Sequence, residues 1–111
     1  MTNVEFAAKN LVREIRKSNE YNQYQRLYRK ISRDGALMAS IDLYREARFR
    51  IEMTAETDEL QDALEALDRE NAALLERPGV TEYLACEQRL CRMVRQVSEM
   101  VTDAAGLHLR L

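Results

Sequence analysis

From Ala36 to Arg77 the chain contains neither glycine nor proline. These two residues most often interrupt helices and strands, and only three glycines and one proline occur among all 111 residues. The chain is also rich in leucine, alanine, arginine and glutamate, which favour helix, and 32% of its residues are charged. We therefore predict an all-α protein, and the length predicts a single domain over residues 1–111.

Two helices are predicted before this stretch. The first covers residues 3–17, because Thr2 and Glu5 have the spacing of a capping box and apolar residues then recur every three or four positions. The second covers residues 19–33, with Ser18 as its capping residue. An Asp-Gly turn signal follows the second helix.

The stretch without glycine predicts a third helical segment over residues 36–76, either continuous or broken near residues 54–58. The apolar rows before and after that point are out of phase. One interpretation is a single helix with a stutter, and the other is two helices joined by a tight bend. A continuous helix of about 41 residues would be about 60 Å long. Such a helix would extend beyond a compact domain and would need a partner helix or a second subunit.

The last predicted helix covers residues 79–105 and carries two adjacent apolar rows. Pro78 suits its first turn, and Gly106 suits its end. The two rows make a broad apolar face, which fits packing on the helix's own chain along one row and on a second subunit along the other. The expected architecture is a hairpin or bundle of long antiparallel helices, completed by dimerisation. The candidate residues of this packing or oligomer seam are Val80, Tyr83, Leu84, Leu90, Met93, Val94, Val97, Met100 and Val101.

Charge is distributed unevenly, although the net charge is only −2. Residues 1–50 carry eleven Lys and Arg against six Asp and Glu, whereas residues 51–87 carry two against eleven. Either the solvated helix faces differ in charge by chance, or basic and acidic helices lie against each other in a hairpin or dimer; the alternative is a basic N-terminal face that contacts RNA. The near-neutral total argues against free-standing nucleic-acid binding. The cations available for RNA are Lys9, Arg13, Arg16, Lys17, Arg26, Arg29, Lys30 and Arg33.

No group of residues in the sequence predicts an enzyme, a cofactor site or a metal site. The glycines stand alone, so no phosphate-binding loop is formed, and the single histidine, His108, has no ligand residues near it in sequence. Cys86 and Cys91 point about 140° apart on a helix and lie beyond disulfide reach. We expect both to be reduced, buried residues that pack as small apolar side chains. A zinc or iron–sulfur site shared with another chain is the alternative that this spacing disfavours.

The sequence gives no indication of a membrane protein. Glu5 and Lys9 interrupt the first segment, which argues against a signal peptide. No window approaches the roughly 20 apolar residues that a membrane-spanning helix requires. We expect a cytoplasmic protein without a membrane partner.

Three stretches resemble the YlbF/YmcA family of bacterial regulators, which includes the YheA-like proteins. They are LVREIRKSNEYNQYQRLYRKISRDGAL (11–37), IDLYREAR (41–48) and RPGVTEYLACEQRL (77–90). In the first, the residues that resemble the family's junction between two helices are Ser18, Glu20, Tyr21 and Tyr24. In the last, the residues that resemble a Pro-x-Val-x-x-Tyr-Leu-x-x-Glu motif are Pro78, Val80, Tyr83, Leu84 and Glu87. The resemblance covers about residues 4–107.

This resemblance implies a small cytosolic all-α protein that forms dimers or higher oligomers and has no known catalysis. It also implies an accessory complex of sibling family members, linked to RNase Y-dependent mRNA maturation and to competence, biofilm and sporulation programmes. Relatives in that complex carry cysteines near the C-terminus that are implicated in an iron–sulfur cluster. This chain ends in GLHLRL without cysteine, so no such cofactor is expected.

We therefore predict a non-enzymatic regulatory adaptor that oligomerises and binds protein partners, namely itself, sibling family members and RNase Y. The alternative is an accessory protein that contacts RNA through its basic N-terminal helices. The tyrosines of the second helix fit either a half-buried hinge or an interface. The candidate partner surface consists of Tyr21, Tyr24, Tyr28, Arg26, Arg29 and Lys30.

Overall fold

The computed structural model describes residues 1–106, and that part of the chain consists of α-helices joined by short connections, without a strand. The prediction of an all-α protein is confirmed. No helix within the described residues is long and apolar enough to cross a membrane. The helices are α1 (Asn3–Lys17), α2 (Asn19–Ile31), α3 (Gly35–Thr54), α4 (Thr57–Glu70), α5 (Ala72–Leu75) and α6 (Val80–Ala104).

Short polar side chains fix where the first three helices begin. The Thr2 hydroxyl accepts a hydrogen bond from the Glu5 backbone N–H at 3.1 Å at the start of α1. The Ser18 hydroxyl accepts from the Tyr21 N–H at 3.2 Å where α2 begins. Asp34 caps α3 by accepting from the Leu37 N–H at 3.1 Å. Each contact satisfies a backbone donor that has no partner inside the helix.

The segment predicted over residues 36–76 is not a single helix. The helix stops at Thr54, whose hydroxyl donates back to the Arg50 carbonyl at 2.6 Å, and resumes at Thr57. A second interruption, which the sequence did not predict, lies at Asn71, where the side-chain amide donates to the Leu67 carbonyl at 2.9 Å. Side-chain bonds to backbone carbonyls compete with the helical ladder at both places. Of the two alternatives, the structure therefore has the break near residues 54–58, and the oligomer argument that depended on one helix about 60 Å long no longer applies.

Contacts between Cα atoms divide the chain into two compact units. Unit 2 comprises Leu27–Tyr83, and unit 1 comprises Met1–Arg26 together with residues 84–106. In unit 2, α3 and α4 contact each other. The hydroxyl of Tyr44 in α3 lies 2.7 Å from Oδ1 of Asp68 in α4, so α4 runs back along α3. The buried apolar residues of unit 2 are Leu27, Ile31, Leu37, Ile41, Tyr44, Leu67, Val80 and Tyr83.

Unit 1 has far less core. No residue of α1 is buried, and Cys86 is the buried apolar residue of unit 1 among those that the structure describes. Ile15 in α1 is half-buried, as are Leu90 and Met93 in α6. A 15-residue amphipathic helix is only marginally stable without tertiary packing. Large apolar side chains of unit 1 remain exposed on both α1 and α6.

Gly79 makes the turn that leads into α6 with a φ of +83°, a backbone conformation that disfavours any side chain. A Cβ placed there would lie 3.8 Å from Ile31 Cδ1 and 3.8 Å from Leu27 Cδ2, which is ordinary contact. Replacement by alanine therefore costs stability through the backbone and not through crowding.

We expect Gly79→Ala to lower the free energy of unfolding by about 1–2 kcal/mol, as judged by urea denaturation followed by circular dichroism. The matched control is Gly35→Ala, because Gly35 opens α3 without a positive φ and has open space around it. That variant should be as stable as the parent chain or slightly more stable. Equal losses in the two variants would contradict the role assigned to Gly79.

Candidate helix surfaces and their anchoring residues

Tyr83 is the anchor at the start of α6 and is 1% exposed. Nη2 of Arg45 donates to its hydroxyl oxygen at 2.8 Å, and the guanidinium carbon lies 5.4 Å from its ring centroid. Nη1 of Arg45 also bonds Oδ1 of Asp42 at 3.1 Å. The Tyr28 ring lies on Tyr83 with centroids 6.4 Å apart. These contacts join α2, α3 and α6 within unit 2 through one buried side chain.

Two further contacts between distant residues hold unit 2 together. The Tyr44 hydroxyl donates to Asp68, and burial together with that carboxylate raises the pKa of Tyr44, so the hydroxyl remains a proton donor near neutral pH. Nη2 of Arg77 lies 3.3 Å from Oδ2 of Asp34. The Leu37 N–H lowers the pKa of Asp34, and the Arg77 guanidinium lowers it further. Both pairs link helix ends or neighbouring helices, which is a structural role.

The two thiols have different surroundings, and neither forms a disulfide. Cys86 is 3% exposed, its thiol lies 3.9 Å from Oε1 of Gln23, and its sulfur accepts from Nη2 of Arg89 at 3.1 Å. Cys91 is exposed. The expectation that both cysteines are buried is therefore wrong for Cys91, because the row of α6 that carries it is not covered there. No group of three His, Cys, Asp or Glu residues in the described chain is placed to hold a metal ion, and His108 lies outside the described residues.

The predicted seam of α6 changes character along the helix. Val80 and Tyr83 are buried in their own chain. The next seam residues are half-buried: Leu84, Leu90, Met93 and Val97. The remaining ones are exposed: Val94 (46%), Met100 (69%) and Val101 (60%). The N-terminal part of the seam is thus intrachain packing, and its C-terminal part is open.

A family model described as control of competence regulator ComK, YlbF/YmcA, matches residues 4–104. The chain belongs to the YlbF/YmcA family. The family's description is regulatory and names no enzymatic activity. This YlbF/YmcA chain gives no significant match to a curated protein. It gives none to a solved structure either.

The stretch of this YlbF/YmcA chain that resembled the family motif is where α6 enters the core of unit 2. Val80 is 0% exposed and Tyr83 1% exposed, directly after the turn at Gly79. The motif is therefore explained by packing and by a backbone turn. This packing role agrees with a family that is described by regulation.

The candidate partner surface on α2 of the YlbF/YmcA chain combines partly buried tyrosines with exposed cations. Tyr21 and Tyr24 are half-buried, and Tyr28 is 40% exposed while its ring lies against Tyr83. The cations of this surface are all exposed: Arg26, Arg29 and Lys30. The tyrosine rings are thus partly packed and partly accessible, which fits both a half-buried hinge and an interface.

Sequence reasoning missed several contacts in this YlbF/YmcA chain. The Arg45–Tyr83 pair is separated by 38 positions and the Tyr44–Asp68 pair by 24, so the local residue spacing predicts neither contact. It also missed an outward row of α3, which is apolar and exposed: Leu43, Phe49 and Met53. That row could have been found, because Phe49 and Met53 are four residues apart on a helix that also has an inward apolar row.

Proposed function

We propose that this protein is a non-enzymatic regulatory adaptor, which self-associates through unit 1 and offers helix surfaces to protein partners. The observation that carries this proposal is that α1 has a regular apolar row and no buried residue. The open strip of α1 consists of Val4, Leu11 and Val12, which are 79%, 39% and 46% exposed. The open strip of α6 consists of Val94, Met100 and Val101. The same two strips from a second copy provide apolar surface of the kind that would cover them.

The regulatory setting follows from the family, whose description is control of the competence regulator ComK. We extend it to the partners expected from the resemblance: sibling family members and RNase Y, within mRNA processing and competence, biofilm and sporulation programmes. An adaptor needs surfaces and no reactive groups, which fits a chain whose polar contacts in unit 2 are structural. The exposed cations Arg26, Arg29 and Lys30 of α2 form the surface assigned to the partner.

The partner assignment is tested by affinity capture from the host bacterium followed by mass spectrometry. We expect RNase Y or sibling family members among the captured proteins, and loss of that capture when Arg29 and Lys30 are both changed to glutamate. The matched control changes Arg92 and Arg95, two exposed arginines of α6, to glutamate. Capture of neither class, or equal capture by both double variants, would refute the assignment.

Self-association is tested by the reactivity of Cys91, which is exposed and lies in the α6 row between Leu84 and Val94. If a second copy covers that row, labelling of Cys91 by a soluble thiol reagent should slow as the protein concentration rises. The buried thiol of Cys86 serves as the internal reference. A labelling rate independent of concentration, together with a strict monomer in sedimentation equilibrium at high micromolar concentration, would overturn the proposal.

A second candidate function is contact with RNA, and one observation favours it. A surface depression of about 410 Å³ on α1 is lined by Lys9, Val12, Arg13, Arg16 and Lys17. Four cations around one shallow surface suit phosphate, although Lys17 also lies 3.6 Å from Glu14. Binding through them should weaken steeply with salt. Absence of RNA retardation at low salt would exclude this function.

A further inference from the structure

Helix α3 is apolar on two opposite sides. Its inward row includes the buried residues Leu37, Ile41 and Tyr44. Its outward row consists of Leu43, Phe49 and Met53, which are 66%, 65% and 68% exposed. At 100° per residue these three positions lie about 110° to 150° around the helix from the mean direction of the inward row, Leu43 on one flank of the outward side and Phe49 and Met53 on the other. Helices that are apolar on opposite sides are normally packed on both.

Charged side chains of both signs lie within the outward row. Glu46 and Arg50 are exposed and four residues apart, with the acid first. Neither has an ion-pair partner among the residues that the structure describes, whereas their neighbour Asp42 is bonded to Arg45 at 3.1 Å. The row thus has an apolar residue at each end and an acid and a base between them.

We propose that the outward row of α3 binds the same row of a second copy. The two helices are antiparallel, and they cross at the level of Arg48 along the helix axis. This register puts Leu43 opposite Met53 of the other copy and Glu46 opposite Arg50. Two-fold symmetry repeats each pair, so the interface contains two intermolecular ion pairs and two apolar pairs. Phe49 of each copy lies beside the crossing point.

The charge pattern is the argument for a second copy as the occupant. An acid and a base four positions apart complement each other across an antiparallel two-fold axis, so the row is complementary to itself. A register centred on Glu46 would instead place the two Glu46 carboxylates against each other, which costs energy. An antiparallel partner of another kind would need the same apolar spacing and the same order of charges, acid first, and a second copy already provides both.

A contact between single helices buries less than the roughly 800 Å² per partner of a stable interface. We therefore expect the α3 contact to be weak by itself. It would act as a second self-association interface beside the one proposed for unit 1. It is distinct from the unit 1 strips and does not rest on them. A protein with both contacts would form species larger than a dimer as its concentration rises.

The test is a charge exchange between copies, measured by sedimentation velocity from low micromolar to millimolar concentration. Glu46→Arg places two arginines in each row and Arg50→Glu places two glutamates there. Each variant alone should lose the α3 association by about tenfold or more, because like charges then face each other. An equimolar mixture of the two should restore it, since each arginine then faces a glutamate.

The matched control is an equimolar mixture of the Glu59→Arg and Arg69→Glu variants. Both positions are exposed on α4, and the two variants have the same net charges as Glu46→Arg and Arg50→Glu. This control mixture should associate as the parent chain does. A repeat of all measurements in a Val101→Asp background removes the proposed unit 1 association, so that failure of either contact is seen separately. The α3 proposal is overturned if Glu46→Arg and Arg50→Glu associate as the parent does, which would also be the outcome if another protein occupies this row. It is likewise overturned if their mixture associates no better than either variant alone.

Discussion

Replacing Tyr83 by alanine is expected to lower the free energy of unfolding by about 3–5 kcal/mol, the usual cost of deleting a buried aromatic side chain. Tyr83 is 1% exposed and contacts Tyr28, and its hydroxyl accepts from Arg45. The substitution removes the packing on α2 and leaves a cavity at the start of α6. Because small domains are stable by only about 5–15 kcal/mol, urea denaturation should show a large fall in the midpoint.

Two companion variants separate packing from hydrogen bonding. Tyr83→Phe keeps the ring and removes the acceptor of Arg45, so it should cost about 1–3 kcal/mol. Tyr28→Ala removes a tyrosine that is 40% exposed and should cost clearly less than Tyr83→Ala. All variants are compared at one protein concentration, because association also changes apparent stability. If Tyr83→Ala and Tyr28→Ala lost equal stability, Tyr83 would not be the anchor of unit 2.

The apolar rows of α6 show how far the sequence could predict this protein. The spacing from Tyr83 to Met100 is uniform, yet Tyr83 is 1% exposed and Met100 is 69% exposed. Periodicity defines the apolar face of a helix, but it does not define how far along that face other helices reach. The helix itself and its face were predictable, whereas the point where its cover ends was not. Cys91 was misassigned for the same reason, because it lies on a face that is covered only in part.

Helix starts were predictable where a local side chain sets them, as Thr2 does for α1 and Ser18 does for α2. The interruption at Asn71 was not, because asparagine in a helical pattern bonds its own backbone only in some contexts. The pairs that join helices, such as Arg45 with Tyr83, combine residues far apart in sequence. Their partners depend on how the helices pack, and this information is absent from any local spacing.

The proposed adaptor would act through what its surfaces bind, so the distribution of open apolar surface is informative. In unit 1 that surface lies on helices with little core of their own, and in unit 2 it lies on the far side of a helix that is already packed. The first arrangement makes association part of folding, since α1 has no buried residue without it. The second leaves folding unaffected by association. We therefore expect substitutions in unit 1 to change stability and assembly together, and those in the outward row of α3 to change assembly alone.

The sharpest test of the unit 1 assembly is Val101→Asp, which should raise the dissociation constant about 100-fold or more in sedimentation equilibrium. Val101 is 60% exposed in the chain, so aspartate is tolerated in the monomer. In the proposed dimer the same carboxylate would be buried among apolar side chains of the second copy, at a cost of several kcal/mol. Gln96→Asp adds the same charge to an exposed position on the opposite side of α6 and should leave the constant unchanged.

The strip of α1 provides an independent second variant. Val4→Asp places the charge in the first turn of α1, where the helix dipole favours it, and Val4 is 79% exposed. The substitution therefore does not weaken the helix directly, and any loss of association, with the loss of stability that follows from it, should come from the interface. Asn3→Asp, one residue earlier in the same turn, is its matched control. If Val4→Asp and Val101→Asp both associate as their controls do, the open strips of unit 1 are not where a second copy binds, and the adaptor must assemble through another surface.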